Sequence, residues 1–258
     1  MRVSARCKLL LPAALSLAML AGCPAPPRPP PPQLPPSLGP PPAAPTPPAP
    51  VSRVGTPYDI APQESLLTIL VYRGGPLASA GHNHVIASHD LRGTIYVPSE
   101  ILESSFDVHI PVATLTVDEA ALRAQQAAAE FPPDVSAGAK EGTRRNMLGE
   151  ALLDAERNPE IVLRALQLEP APGAAADAAA VLAHVQSTVR GQQRAFTVPV
   201  RFRLGADGTL EASGELPLRQ SELGLTPFSA LLGALQVQDE MQVKFRIVAR
   251  RGAIKGAP

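Results

Sequence analysis

In several stretches beyond residue 100 of this chain, apolar and polar residues alternate. Ser104 to Ile110 sets Phe106, Val108 and Ile110 against Ser105, Asp107 and His109. Ala195 to Leu204 is the clearest case, with Phe196, Val198, Val200, Phe202 and Leu204 on one side and Thr197, Arg201 and Arg203 on the other. Met241 to Ala249 repeats the pattern, with Met241, Val243, Phe245 and Ile247 against Gln242, Lys244 and Arg246. A period of two is that of a strand with one face buried and one in water. Leu66 to Tyr72, Leu91 to Val97, Ile161 to Leu168, Val181 to Val189 and Thr209 to Leu218 read as further strands, and Asp207-Gly208 reads as a hairpin turn.

Two stretches break the pattern. Asp118 to Glu130 is rich in Ala, Gln and Glu and predicts a helix that Pro132-Pro133 must end. Ala139 to Glu156 predicts a second helical stretch, in two pieces around Gly149 and stopped by Pro159. The sum is a mainly β domain of about eight or nine antiparallel strands with a helical insert. Closing such a sheet into a barrel removes its edges; a sandwich is the alternative. Around eight strands leaves an interior that side chains fill or that holds one small ligand.

The amino terminus has a different grammar. Arg2, Arg6 and Lys8 precede an apolar run from Leu9 to Ala21, too short to span a bilayer. It ends in Leu20-Ala21-Gly22-Cys23, which resembles the lipobox of bacterial lipoproteins. That resemblance implies a signal peptide over residues 1–22, and a Cys23 carrying a diacylglycerol thioether and an amide-linked acyl chain. Two or more chains anchor stably where one is marginal. Residues 23–56 then comprise the lipidated cysteine and a stalk. Sixteen of the 27 residues from Pro24 to Pro50 are proline, a composition of semi-rigid spacers with a reach of up to roughly 80 Å at ~3.1 Å per residue. Residues 57–251 form the domain and 252–258 a flexible tail. A periplasmic, lipid-anchored location is the expectation. Pro24, rather than aspartate, after the cysteine favours the outer membrane.

Composition narrows the function. With Cys7 in the leader and Cys23 acylated, no thiol remains for a disulfide, a nucleophile or a thiolate metal site. Beyond residue 22 the net charge is −3, so there is no basic footprint for nucleic acid. No nucleophile elbow, metalloprotease helix, phosphate loop or dinucleotide fingerprint occurs, and the chain is not expected to be an enzyme.

Four places carry a family resemblance: Tyr58-Asp59-Ile60 with Ser65-Leu66; Leu153-Asp154-Ala155-Glu156-Arg157-Asn158-Pro159-Glu160-Ile161; Val189-Arg190-Gly191 with Thr197-Val198-Pro199-Val200; and Ser221-Glu222-Leu223-Gly224-Leu225 with Gln238 to Val243. In this order and spacing the chain, from Tyr58 to Arg250, resembles the YceI-like proteins, the polyisoprenoid-binding, lipocalin-like barrels of bacterial envelopes. The resemblance implies an elongated antiparallel barrel with a helix against its mouth. It also implies an apolar interior for an isoprenoid-like lipid, in a family not generally enzymatic; a quinone head group is a further candidate partner for the histidines below. Gly81-His82-Asn83-His84-Val85 and Thr143 to Gly149 depart from the family's general pattern.

Those departures supply the candidate site residues. On a strand, His82 and His84 would share one face about 7 Å apart. They are read with Asn83 as contacts to a ligand head group or as polar groups satisfying backbone. As an alternative they are two ligands for zinc or copper in a redox-accessory protein. Arg144 and Asn146 precede Met147-Leu148 and are candidates to cap the barrel mouth over a polar head group; a solvated helix face is the alternative. A barrel filled by its own side chains, with no ligand, is the third reading. No resident cofactor and no particular oligomeric state follow from the sequence.

Overall fold

The computed structural model describes residues 53–172 and 179–252. The expected signal peptide, the Cys23 anchor, the proline-rich stalk up to residue 52 and the 253–258 portion of the tail lie outside them. Among the described residues twelve strands form in chain order: β1 (Thr56–Ile60), β2 (Leu66–Gly74), β3 (His84–Ser88), β4 (Arg92–Val97), β5 (Ser105–Pro111), β6 (Thr116–Val117), β7 (Glu160–Pro170), β8 (Ala180–Val189), β9 (Gln192–Leu204), β10 (Thr209–Arg219), β11 (Ser229–Ala230) and β12 (Leu235–Arg251). Two helices, α1 (Ala120–Arg123) and α2 (Ala137–Leu148), lie between β6 and β7.

Eight strands close an antiparallel ring in the order β1-β4-β5-β7-β8-β9-β10-β12, and β12 returns to β1 through Tyr58↔Arg251 and Ile60↔Ala249. The seventeen-residue β12 makes the closure possible. Its far end meets β1, while its first part pairs along the same edge with β2, from Gln236↔Gly74 to Arg246↔Leu66. β2, β3 and β6 therefore branch from the ring as a short flap.

The predicted alternation sorts side chains between water and the barrel interior. Phe106, Val108 and Ile110 of β5, Phe196, Val198, Val200 and Phe202 of β9, and Met241, Val243, Phe245 and Ile247 of β12 all line the interior. Leu204 continues the β9 phase but lies at the strand's end and is 54% exposed. In β7 a bulge between Ala165 and Gln167 changes the phase. Ile161 and Leu163 point inward before it, Leu168 after it, and the extra residue Leu166 faces solvent. The β8–β9 hairpin turns on two residues, Arg190 (φ +51°) and Gly191 (φ +69°), the two-positive-φ turn that matches strand twist.

The helical expectation is corrected in two places. Asp118 to Glu130 contains a single four-residue turn of helix, α1. Asp118 stands at φ +52° with its side chain buried, and Arg123 is turned inward to meet it, so the segment serves a tertiary polar contact instead of a helical repeat. The second stretch begins with Ser136, whose Oγ accepts the Ala139 N–H at 3.2 Å, and ends at Gly149. Beyond Gly149 the chain runs through a series of turns with Asp154 at φ +47°, bringing Leu152 and Leu153 to the interior.

The insert covers two surfaces. On the outer face of the flap, Leu70, Val85 and Ala87 pack with Leu122 and Phe131, and Tyr72 meets Phe131 edge-on at 5.7 Å. On the inner side α2 lies across one end of the barrel through Ala139, Gly142, Thr143, Asn146 and Met147. These recur at helical spacing and form one stripe. Lys140 Nζ donates to the Asp118 carbonyl at 2.7 Å, and Arg144 Nη2 donates to the Ala113 carbonyl at 2.7 Å, fixing the helix.

Candidate ligand cavity

The barrel interior is a cavity of about 610 Å³. Its walls are aliphatic and phenyl side chains from nearly every strand, with few polar exceptions. Those exceptions gather mainly at the end where α2 lies: His82, His84, Thr143 and Asn146, with Arg73, Gln220 and Gln236 at the same rim. Ser104 and Ser187 are the polar residues elsewhere in the wall.

The polar end is held by a buried chain of hydrogen bonds. His84 Nδ1 lies 2.6 Å from Asp118 Oδ2, and His84 Nε2 lies 3.1 Å from Thr143 Oγ1. Asp118 Oδ1 accepts the Val85 N–H at 2.9 Å and Arg123 Nη1 at 2.7 Å. The side chains of Asp118 and Arg123 are 0% and 1% exposed. Burial opposes ionisation of Asp118, but the bonds from His84 and Val85, with the charges of His84 and Arg123, outweigh it and hold the carboxyl below the usual carboxylate range. Arg123 also donates Nε to the Pro132 carbonyl at 2.6 Å and Nη1 to the Asn83 carbonyl at 2.8 Å, and its guanidinium carbon stands 5.7 Å from the centre of the Phe131 ring.

An ionised Asp118 requires a hydrogen on His84 Nδ1. Nε2 accepts the Thr143 O–H in a neutral imidazole and donates to Thr143 Oγ1 in a charged one. That leaves the Thr143 oxygen as an acceptor at the cavity wall. One turn along α2, the Asn146 amide offers both a donor and an acceptor.

The sequence candidates separate accordingly. His82, His84 and Asn146 line the cavity, with the two imidazole centres 6.1 Å apart and tilted edge to face. Asn83 is engaged elsewhere: Oδ1 accepts the Arg73 N–H at 2.9 Å and Nδ2 donates to the Glu130 carbonyl at 2.9 Å, tying β2 to the insert. Arg144 is committed to the Ala113 carbonyl and is not among the lining residues. Both ring nitrogens of His84 are engaged, so a metal ion there would have to displace Asp118 or Thr143. Among the described residues no three His, Cys, Asp or Glu side chains are grouped to hold a metal. The sequence alone does not single out Thr143, Asp118 or Arg123 as site residues. Thr143 carries a signal, since it stands on the same helical stripe as Asn146.

A closed eight-strand antiparallel barrel around an apolar cavity, with a helix across one end, is a lipocalin-like architecture. A family model described as the YceI-like domain matches residues 58–249. The chain belongs to the YceI-like family. Among solved structures, that of Burkholderia cenocepacia BcnA is similar at a TM-score of 0.53 and 18% identity, covering 74% of this chain and 99% of that one. A polyisoprenoid binding domain from Saccharophagus degradans, implicated in plant cell wall breakdown, is similar at a TM-score of 0.50 and 9% identity, covering 76% and 98%. No curated protein matches the chain.

Proposed function

We propose that this chain is a binding protein that shelters an apolar, isoprenoid-like molecule in the barrel, with its oxygenated head group at the α2 end. The apolar cavity carries this reading. Water is a poor filler, because each buried molecule needs two to four polar partners and the walls offer few. An apolar guest supplies the missing contacts, at about 0.8 kcal/mol per CH₂ withdrawn from water.

His84, Thr143 and Asn146 set the orientation of the guest. A hydroxyl can donate to Thr143 Oγ1, and a carbonyl can accept from the Asn146 amide, so polyprenol and quinone head groups both fit the chemistry. The polyisoprenoid-binding relative supports the ligand class. The lipobox-like Leu20 to Cys23 supports anchoring in a bacterial envelope, with the domain in the periplasm and the outer membrane as the favoured site.

The test is native mass spectrometry of protein purified without detergent. The expected result is a stoichiometric apolar adduct, identified after extraction. Protein that is always empty, and stays empty when offered polyprenol or ubiquinone, would sink the reading.

A further inference from the structure

Two loops meet at the α2 end of the barrel and carry its most exposed apolar side chains. In the β11–β12 hairpin Leu231 is 68% exposed and Leu232 fully exposed, and both stand at positive φ, +51° and +55°. The β2–β3 loop lies against it through the Leu77 N–H, which donates to the Ala234 carbonyl at 2.8 Å, and Leu77 is itself 44% exposed. Left-handed backbone is unfavourable for leucine, and among the described residues none rewards it by burying these side chains. The same loops reach the cavity, whose wall includes Gly81, Phe228, Ala230 and Leu235. Neither Gly74 to Ser88 nor Gly224 to Gln238 contains an aspartate, glutamate, lysine or arginine; Arg73 precedes the first, and Glu222 and Asp239 are the charged residues nearest the second. Of the nearby acidic groups, Glu222 accepts the Arg219 N–H and Asp239 accepts from Ser221.

We propose that Leu231 and Leu232, with Leu77 beside them, form a tip that enters the acyl region of a lipid bilayer and places the cavity rim on the membrane. This deepens the binding function above and rests on it for its purpose. A bilayer suits the tip better than a protein partner: three side chains fall far short of the ~20–30 residues a side of a stable protein interface. A bilayer needs only a small uncharged apolar projection. The tether allows the geometry. β1 begins at the opposite end of the barrel, where Tyr58 pairs with Arg251. Pro24 to Pro50, at roughly 80 Å when extended, exceeds the ~58 Å of a fully extended seventeen-residue β12, so an anchored domain can bring its far end to the surface. Anchoring also raises the local concentration of a weak tip.

The chain contains no tryptophan, so a single one reports its own surroundings. The full chain bearing Leu232→Trp is reconstituted with vesicles of equal parts phosphatidylethanolamine and phosphatidylglycerol, with or without bromine on the acyl chains. The expected result is a blue-shifted emission that bromine quenches about twofold or more, as for a side chain buried among acyl chains. Leu204→Trp, at the other end of the barrel, stays unquenched. Failure to quench at Leu232→Trp, or equal quenching at both sites, overturns the proposal. So does a blue shift that rises with protein concentration in the absence of vesicles, which would mark a second copy as the occupant. The ligand reading is tested apart: protein that is loaded but unquenched loses only the tip, and protein that is empty but quenched loses only the ligand.

Discussion

Replacing Asp118 by Asn probes the polar core that positions the cavity's head-group end. The carboxylate accepts from His84 Nδ1 on one oxygen and from Val85 N–H and Arg123 Nη1 on the other. An amide has one oxygen, so at best it keeps Val85 and Arg123 and turns its NH₂ toward His84, forcing the opposite tautomer. It also removes the charge that balances Arg123, whose side chain is 1% exposed. Taking one partner from a buried pair costs about 3–5 kcal/mol, which for a domain near 200 residues lowers Tm by roughly 6–20 °C. Urea unfolding and circular dichroism melts measure it. Adding Arg123→Met to Asp118→Asn removes the unpaired cation, and the pair should lose about 1–3 kcal/mol less than the sum of the single changes. A loss below about 1 kcal/mol for Asp118→Asn, or strict additivity, would refute this view of the network.

The same geometry predicts three further outcomes. Because Asp118 titrates below an ordinary carboxylate when folded, its stabilisation is complete above the ordinary Asp pKa and is lost as pH falls through the folded value; the gap between wild type and Asp118→Asn should narrow below about pH 4 in pH-resolved melts. Gly93 stands at φ +131° in β4 where a Cβ would collide with the Asp107 carbonyl, so Gly93→Ala should cost about 3 kcal/mol or more by urea titration. Thr143→Val keeps shape but removes the hydroxyl; uptake of a plain hydrocarbon tail should be unchanged while affinity for a polyprenol falls about tenfold in a binding titration.

Strands were legible where one face met the cavity and the other met water, as in β5, β9 and β12. β3 was not, because both its faces are covered: Val85 and Ala87 pack under Leu122 and Phe131, while His84 and Ile86 face the cavity. Such a strand has no alternation to read. Asp118 to Glu130 had a helical composition, yet the fold uses two of its charged residues, Asp118 and Arg123, as one buried pair. His84 was visible as a candidate, but its partners stand 34 and 59 positions away, and no local spacing connects them. The branching of β2 and β1 along one edge of β12 likewise depends on pairing across almost the whole domain.

The most direct measurement is a calorimetric titration of delipidated full chain with ubiquinone or a polyprenol, beside the variant Ala212→Phe. Ala212 lines the cavity and is half-buried, so a phenyl ring there reaches into the guest's space and fills part of the void. The expected result is one guest per wild-type chain and none for the variant, whose melting temperature in the empty state is equal or higher. Equal binding by both proteins would place the guest outside the barrel, and no binding by either would leave the cavity without the role proposed for it.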